Sequence, residues 1–140
     1  MIVLDTSGLL AALDAGQRQH EPARQVLEDD SGPLLLSPFV LAELDYLLLG
    51  RVGAQAERAL LDEVAAGAYD LVPFGPEEVA EAAGLIGRYA ELKIGLADAS
   101  LAVIAAEAKT TRLLTLDERP FRALRPLWGD AFTLLPADRA

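Results

Sequence analysis

Short runs of mainly apolar residues alternate with helical segments along this chain of 140 residues. The predicted strands lie at residues 2–4, 34–36, 69–74, 112–116 and 132–135. Strands that lack a polar face are typical of parallel sheets covered by helices on both sides, since both of their faces are buried. The sequence therefore predicts an α/β fold with a central, mostly parallel sheet.

The starts and ends of the intervening helices are also marked in the sequence. Ser37 is a good N-cap and Pro38 a good first helical residue, and Pro76 opens a later helix. Gly50 and Gly67 are suited to ending helices. The first predicted helix begins after Thr6 or Ser7. The others lie at residues 22–30, 38–49, 54–66, 76–92, 96–108 and 118–124. One domain over residues 1–140 is expected, with residues 136–140 as a flexible tail.

Composition excludes several kinds of chemistry. Without cysteine the chain forms no disulfide, thiolate zinc site or cysteine nucleophile, and His20 alone cannot build a polyhistidine site. A net charge of −10 argues against a broad basic face for nucleic acid. The apolar stretches are too short to span a bilayer, and no basic leader precedes the first strand. We therefore expect a cytoplasmic protein.

Four acids occupy places where an apolar segment gives way to a polar one. Asp5 and Asp117 each follow a predicted strand. Asp98 lies in the first turn of a helix, and Glu43 lies in the middle of a nearly apolar helix. Ligands gather at the carboxyl ends of parallel strands, and a buried lone carboxylate costs several kcal/mol, so these acids require a cation or hydrogen-bond donors.

Divalent metal binding is the chemistry that best suits this set of acids. Mg²⁺ and Mn²⁺ prefer carboxylates and water, and such an ion lowers the pKa of a bound water and neutralises phosphoryl charge. The four acids therefore predict a metal site for phosphodiester hydrolysis. Glu43 is preferred to Asp45, because residues two apart point to nearly opposite sides of a helix.

Each assignment also has a structural alternative. Asp5 and Asp117 are suited to capping the helices that follow them, and Asp98 is favourable near a helix N-terminus. Hydroxyls beside the acids are predicted to support a carboxylate or a metal-bound water, although capping suits the first two equally: Thr6, Ser7 and Thr115. Basic side chains near Asp117 are predicted to meet RNA phosphates, with solvated helix charge as the alternative: Arg112, Arg119, Arg122 and Arg125.

Four short motifs share their order and spacing with one known family. They are Val3-Leu4-Asp5-Thr6-Ser7, Leu41-Ala42-Glu43-Leu44, Leu96-Ala97-Asp98-Ala99-Ser100-Leu101 and Thr115-Leu116-Asp117-Glu118-Arg119-Pro120-Phe121. The chain resembles, over essentially its whole length, PIN-domain ribonucleases of the VapC toxin type. The resemblance implies an α/β/α sandwich, RNA cleavage dependent on Mg²⁺ or Mn²⁺, a homodimer, and neutralisation by a VapB-type antitoxin.

The resemblance also assigns roles residue by residue. Asp5, Glu43 and Asp98 match the metal-binding acids of the family, Asp117 matches its more variable fourth acid, and Thr115 matches a polar position. Glu118 departs from the family pattern, in which a basic or neutral residue often follows the fourth acid.

Two other functions remain open at this stage. A PIN-like module that binds RNA or a protein without cutting would carry the same acids, because an acidic site does not by itself prove turnover. A phosphoacceptor domain would also place acids at strand ends, but it needs a lysine at the far end of the sheet, and Lys93 and Lys109 lie on or beside helices.

Overall fold

The structure, a computed structural model, describes residues 1–139. Its strands are β1 (Ile2–Leu4), β2 (Leu34–Leu36), β3 (Asp70–Leu71), β4 (Arg112–Leu114) and β5 (Thr133–Leu135). They form one five-stranded sheet in the order β3-β2-β1-β4-β5. Every neighbouring pair is parallel. The predicted parallel α/β architecture is therefore confirmed.

Helices connect the strands. They are α1 (Thr6–Leu13), α2 (His20–Asp29), α3 (Pro38–Arg51), α4 (Ala54–Ala65), α5 (Pro76–Arg88), α6 (Leu96–Ala108) and α7 (Glu118–Ala123), with a 3₁₀ turn at Ala90–Leu92. Three helix bounds differ by two residues or more from the sequence-based expectation, the first being the start of α2 at His20 instead of Pro22. Gly50 lies inside α3 because the Val52 N–H still donates to the Leu48 carbonyl. The helix expected over 76–92 ends at Arg88, since Tyr89 leaves helical geometry with ψ at 38°.

The strand order puts a binding crevice between β1 and β4. From β1 the chain proceeds outward to β2 and β3, and it later returns to the other side of β1 to form β4 and β5. Right-handed crossovers in opposite directions place helices on opposite faces of the sheet, which gives the α/β/α sandwich. The carboxyl ends of the two strands where the direction reverses are the usual ligand site of such sheets.

The core is built from the strands and from α6. The β1 residues Ile2, Val3 and Leu4 are completely buried, as the absence of a polar face predicts. Helix α6 is buried over residues 99–105 and contacts β1, α3 and α5. A helix covered on several sides is apolar around most of its circumference, and this explains why α6 carries so few charges.

Gly8 allows α1 to begin directly against β4. A Cβ atom at this position would lie 2.4 Å from the Leu114 carbonyl oxygen, which belongs to backbone that cannot move aside. The same oxygen accepts a hydrogen bond from the Asp5 N–H at 2.9 Å. The close approach therefore holds the end of β1, the start of α1 and the end of β4 together.

The C-terminal residues are hydrogen-bonded as far as the structure describes them. Asp138 accepts from the Leu134 N–H at 2.8 Å and from Arg122. Ala140, the last residue of the predicted tail, lies outside the described residues. Within residues 1–139 no helix is both long and apolar enough to cross a membrane.

Candidate active site

Asp5 lies at the junction of β1 and α1, where it is both a helix cap and a buried acid. Its Oδ1 accepts from the Thr6 N–H at 2.8 Å. Its Oδ2 accepts from Ser7 Oγ at 3.0 Å and from Thr115 Oγ1 at 2.6 Å. The capping alternative is therefore correct for Asp5, but capping uses only one of its oxygens. No salt bridge to this carboxylate occurs within the described residues.

The two hydroxyls that hold Asp5 are themselves fixed by backbone amides. Thr115 Oγ1 accepts from the Asp117 N–H at 3.0 Å, and Ser7 Oγ accepts from the Leu116 N–H at 3.0 Å. Each hydroxyl therefore has its proton directed at Asp5. This network also shapes the loop after β4, so that Asp117 lies three residues beyond the strand instead of one, as the sequence suggested.

Glu43 reaches the same region from α3. Its Oε1 accepts from Thr6 Oγ1 at 2.7 Å, so Thr6 serves Glu43 through its hydroxyl and Asp5 through its amide. Asp45, the acid rejected at the sequence level, lies elsewhere: its hydrogen bond with Glu57 raises the pKa of the Glu57 carboxyl. The helical spacing argument thus selected the acid that faces the crevice.

A buried serine pair fixes α3 and α6 relative to each other. Ser37 caps α3 by accepting from the Phe39 N–H at 3.2 Å, and its Oγ lies 2.8 Å from Ser100 Oγ. Both serines are completely buried. Ser100 was not identified as a positioning residue from the sequence, although a serine two residues after an acid in a first helical turn was a usable signal.

Asp98 lies in the first turn of α6, and no hydrogen bond to its carboxylate occurs among residues 1–139. Burial, and then the charges of Asp5, Asp117 and Glu43 in that order, raise the pKa of Asp98 to about 6. Burial also raises the pKa of Asp5, more than its hydroxyl and amide donors lower it. The four acids therefore act on one another through a shared field of negative charge.

One open cavity of about 520 Å³ is lined by all four acids. Asp117 and Glu43 are the exposed acids of the four, and the Asp117 side chain is 48% exposed. Sequence reasoning missed three other lining residues that carry polar groups: Gln17, Tyr46 and Arg51. Tyr46 and Arg51 follow Glu43 by three and eight positions, so the helical repeat was a signal that these side chains share its face.

The chemistry of these donors fits Mg²⁺ or Mn²⁺. Every acid supplies hard oxygen ligands, and Asp5 Oδ1 accepts one hydrogen bond and so retains a free lone pair. Within residues 1–139, however, no three acidic or histidine side chains are gathered closely enough to hold an ion directly. Mg²⁺ usually takes one or two protein carboxylates and keeps several waters, so acids spread around a cavity suit it better than a tight cage.

The structure brings one of the predicted RNA-binding arginines to this site. Arg119 is 94% exposed, and its Nε lies 4.0 Å from Asp117. Arg122 is instead held in ion pairs with Glu118 and an acid near the C-terminus. Arg112 begins β4, so it lies at the amino end of the sheet, where its guanidinium binds Asp30 at 3.0 Å. Arg112 is therefore at the opposite end of β4 from the four acids, which lie at the carboxyl ends of the strands.

A comparison with known protein families finds a match to one of them. The PIN domain model matches residues 2–125. Ribonuclease VapC26 of Mycobacterium tuberculosis (strain ATCC 25618 / H37Rv) is 43% identical over 135 residues, which are 96% of this chain and 100% of that protein.

Solved structures agree on the fold. They include VapC20 of Mycobacterium tuberculosis, described as a Sarcin-Ricin loop cleaving toxin, with a TM-score of 0.78 and 21% identity over 84% of this chain and 90% of that one. A toxin-antitoxin complex from Klebsiella pneumoniae has a TM-score of 0.66 and 19% identity over 92% and 100% of the two chains. FitAcB from Neisseria gonorrhoeae has a TM-score of 0.61 and 23% identity over 84% and 88%. The chain belongs to the PIN domain family and is of the VapC type.

Proposed function

We propose that this protein is a metal-dependent endoribonuclease and the toxin component of a toxin-antitoxin system. The observation that carries the proposal is the meeting of Asp5, Glu43, Asp98 and Asp117 around one cavity, where burial and the charges of the other three acids raise the pKa of Asp98 to about 6. A relative with 43% identity over nearly the whole chain bears the name ribonuclease, which supports the same activity here.

Each residue of the site has a role that follows from its contacts. Thr115 and Ser7 orient the Asp5 carboxylate, and Thr6 orients Glu43. Asp98 offers carboxylate oxygens that no described residue occupies, and it must be ionised to bind a cation.

The fourth acid and the ion complete the proposed mechanism. Asp117, at the solvent side of the cavity, assists with a second ion or with the substrate. A bound Mg²⁺ or Mn²⁺ supplies an activated water and neutralises charge on the phosphoryl group of the RNA.

Partner binding forms a second part of the proposal. Two of the structural neighbours are named as a toxin-antitoxin complex and as FitAcB, and a VapB-type antitoxin is the partner that we propose here. The net charge of −10 suits a basic antitoxin segment near the acidic cavity. We further propose a homodimer in the cytoplasm.

The activity is tested by cleavage of a structured RNA. The purified protein should cleave a labelled RNA stem-loop with Mg²⁺ or Mn²⁺, stop when EDTA removes the ion, and resume when Mn²⁺ is restored. Asp98→Asn should lose cleavage, because it removes an ionised ligand from the cavity. Asp45→Asn, an acid-to-amide change on α3 outside the cavity, is the matched control and should cleave at the unsubstituted rate.

Two results would contradict the proposal. Cleavage by Asp98→Asn at the rate of the Asp45→Asn control would remove Asp98 from the site. RNA binding without cleavage of any RNA, in a protein that is folded and supplied with Mn²⁺, would favour the non-cleaving PIN-like module.

A further inference from the structure

A second cavity, of about 300 Å³, adjoins the acidic site. Asp98 and Asp117 line both cavities, so these two acids form the boundary between them. The remaining lining residues of the second cavity come from the segment before α6 and from the start of α7: Glu91, Leu92, Lys93, Ile94, Arg119 and Pro120. Two of these six side chains, Lys93 and Arg119, are cationic, and one, Glu91, is anionic.

Lys93 is held at the cavity by its backbone. It has left-handed geometry, with φ at 53° and ψ at 39°, and its N–H donates to the Ala90 carbonyl at 3.2 Å. A left-handed lysine is uncommon, because its Cβ approaches the carbonyl oxygen of the chain. No salt bridge to its ammonium group is found over residues 1–139.

Arg119 supplies the second cation from a separate element. Its side chain is 94% exposed, and its Nε lies 4.0 Å from Oδ1 of Asp117, its salt-bridge partner in the described chain. A group so solvated and so loosely paired is available to a phosphate. The other arginine of α7 differs, because Arg122 is occupied by two carboxylates at 2.9 and 2.6 Å.

We propose that the second cavity binds the RNA phosphate that neighbours the scissile one, with Lys93 and Arg119 as its binding residues. The inference rests on the proposed ribonuclease function, because the scissile phosphate then lies on the Asp98 side of the boundary. An RNA strand carries one phosphate per nucleotide, so a strand that crosses Asp98 and Asp117 brings a second anion to the adjoining cavity. The lining acids Glu91, Asp98 and Asp117 repel a phosphate, so its binding depends on the two cations of this cavity in a protein with a net charge of −10.

Lys93→Asn and Lys109→Asn form a matched pair of tests. Both lysines are exposed and end a helical segment in left-handed geometry, with φ at 53° and 57°, and asparagine tolerates that geometry. Lys109 ends α6 about 11 residues after Asp98, a separation of roughly 16 Å along the helix. The two variants therefore lose the same charge from the same backbone conformation, but from the two opposite ends of α6.

The measured quantities are KM and kcat for cleavage of a labelled RNA stem-loop with Mn²⁺, over a range of salt concentrations. Lys93→Asn should raise KM about five- to tenfold and leave kcat within about twofold, since a flanking phosphate contact positions the RNA. The slope of log KM against log salt should decrease by roughly 0.7 to 0.9 for the lost cation. Lys109→Asn should match the unsubstituted protein, and Lys93→Arg should restore KM.

A second measurement locates the phosphate. Neutral methylphosphonate groups are placed one at a time along the same RNA, and the difference in KM between Lys93→Asn and the unsubstituted protein should vanish at a position next to the cleavage site. Equal KM values for Lys93→Asn and Lys109→Asn, in proteins that cleave RNA, would overturn the subsite and leave the ribonuclease proposal intact. Failure of the unsubstituted protein to bind or cleave RNA would overturn both.

Discussion

Two buried acids, Asp5 and Asp30, lie at opposite ends of the central sheet and have opposite electrostatics. Asp5 is 5% exposed and the Asp30 side chain 2% exposed, so burial penalises both charges. At Asp5 burial dominates and raises the pKa of the carboxyl, because its donors are two hydroxyls and one amide. At Asp30 the Met1 ammonium, the Gly32 amide and Arg112 outweigh burial and lower the pKa of the carboxyl.

The difference separates a structural acid, Asp30, from Asp5, for which we propose a role in metal binding. At the amino end of the sheet the cations are built into the chain, so the charge of Asp30 is balanced within the fold. At the carboxyl end three further acids surround Asp5, and no described cation pairs with it. Unbalanced buried charge costs several kcal/mol, and an external cation relieves that cost when it binds. Perturbed acids clustered in a cleft are characteristic of functional sites.

Matched amide substitutions at the two ends give the largest expected effects. Asp5→Asn should reduce RNA cleavage about 1,000-fold or more, because the several kcal/mol that a metal contributes to the transition state depend on this ligand. Asp30→Asn should retain cleavage but lose about 1 to 3 kcal/mol of unfolding free energy, since Arg112 loses its partner. Cleavage rates and urea unfolding with EDTA measure the two effects. A folded Asp30→Asn protein that cannot cleave RNA would contradict the purely structural role of Asp30.

The hydroxyl that orients Asp5 should have a smaller effect. Thr115→Val keeps the shape of the side chain but removes the 2.6 Å hydrogen bond to Asp5 Oδ2, and it should reduce cleavage about 10- to 100-fold, as loss of a residue that orients a metal ligand typically does. The Mn²⁺ concentration for half-maximal rate should rise. Thr115→Ser keeps the hydroxyl and should recover most of the activity. If valine and serine behave alike, the hydroxyl does not orient Asp5 for binding.

The pH dependence of stability gives the smallest expected effect. The pKa of Asp98 is raised from 3.8 to about 6 in the folded protein, which therefore binds this proton more tightly than the unfolded chain does. Without metal, the contribution of Asp98 to stability should fall as pH rises from about 4 to 6 and stay low above that range. Asp98→Asn should accordingly be more stable at pH 7 by about 1 kcal/mol, less than the full shift implies because water screens the group.

Urea unfolding with EDTA at pH 5 and pH 7 measures how the free energy of unfolding changes with pH. Asp130→Asn, an exposed acid in the loop before β5, is the control and should follow the unsubstituted protein. A stability that rises with pH through the same window, and to the same extent in Asp98→Asn, would show that Asp98 is not strained by its neighbours.

Local pattern was sufficient for the elements that the chain specifies by itself. Helix α6 lies at the residues expected, Leu96 to Ala108, and Ser37 and Pro38 begin α3 as predicted. The strand predicted over 69–74 was too long, because β3 covers only Asp70 and Leu71. An edge strand of this kind is set by pairing with β2 more than by its own residues, and Pro73 has no N–H to donate.

The sequence by itself determined which acids are available and that two of them, Asp5 and Asp117, follow apolar strands, because burial and ligand chemistry depend on residue type and local order. Only the tertiary structure decided their surroundings. It placed Arg112 with Asp30 at the amino end of β4, and it brought Lys93 and Asp98 to the same cavity as Asp117 and Arg119. Those distances depend on strand direction and on a reversal of strand order between β1 and β4, and both are properties of pairing between segments far apart in the chain.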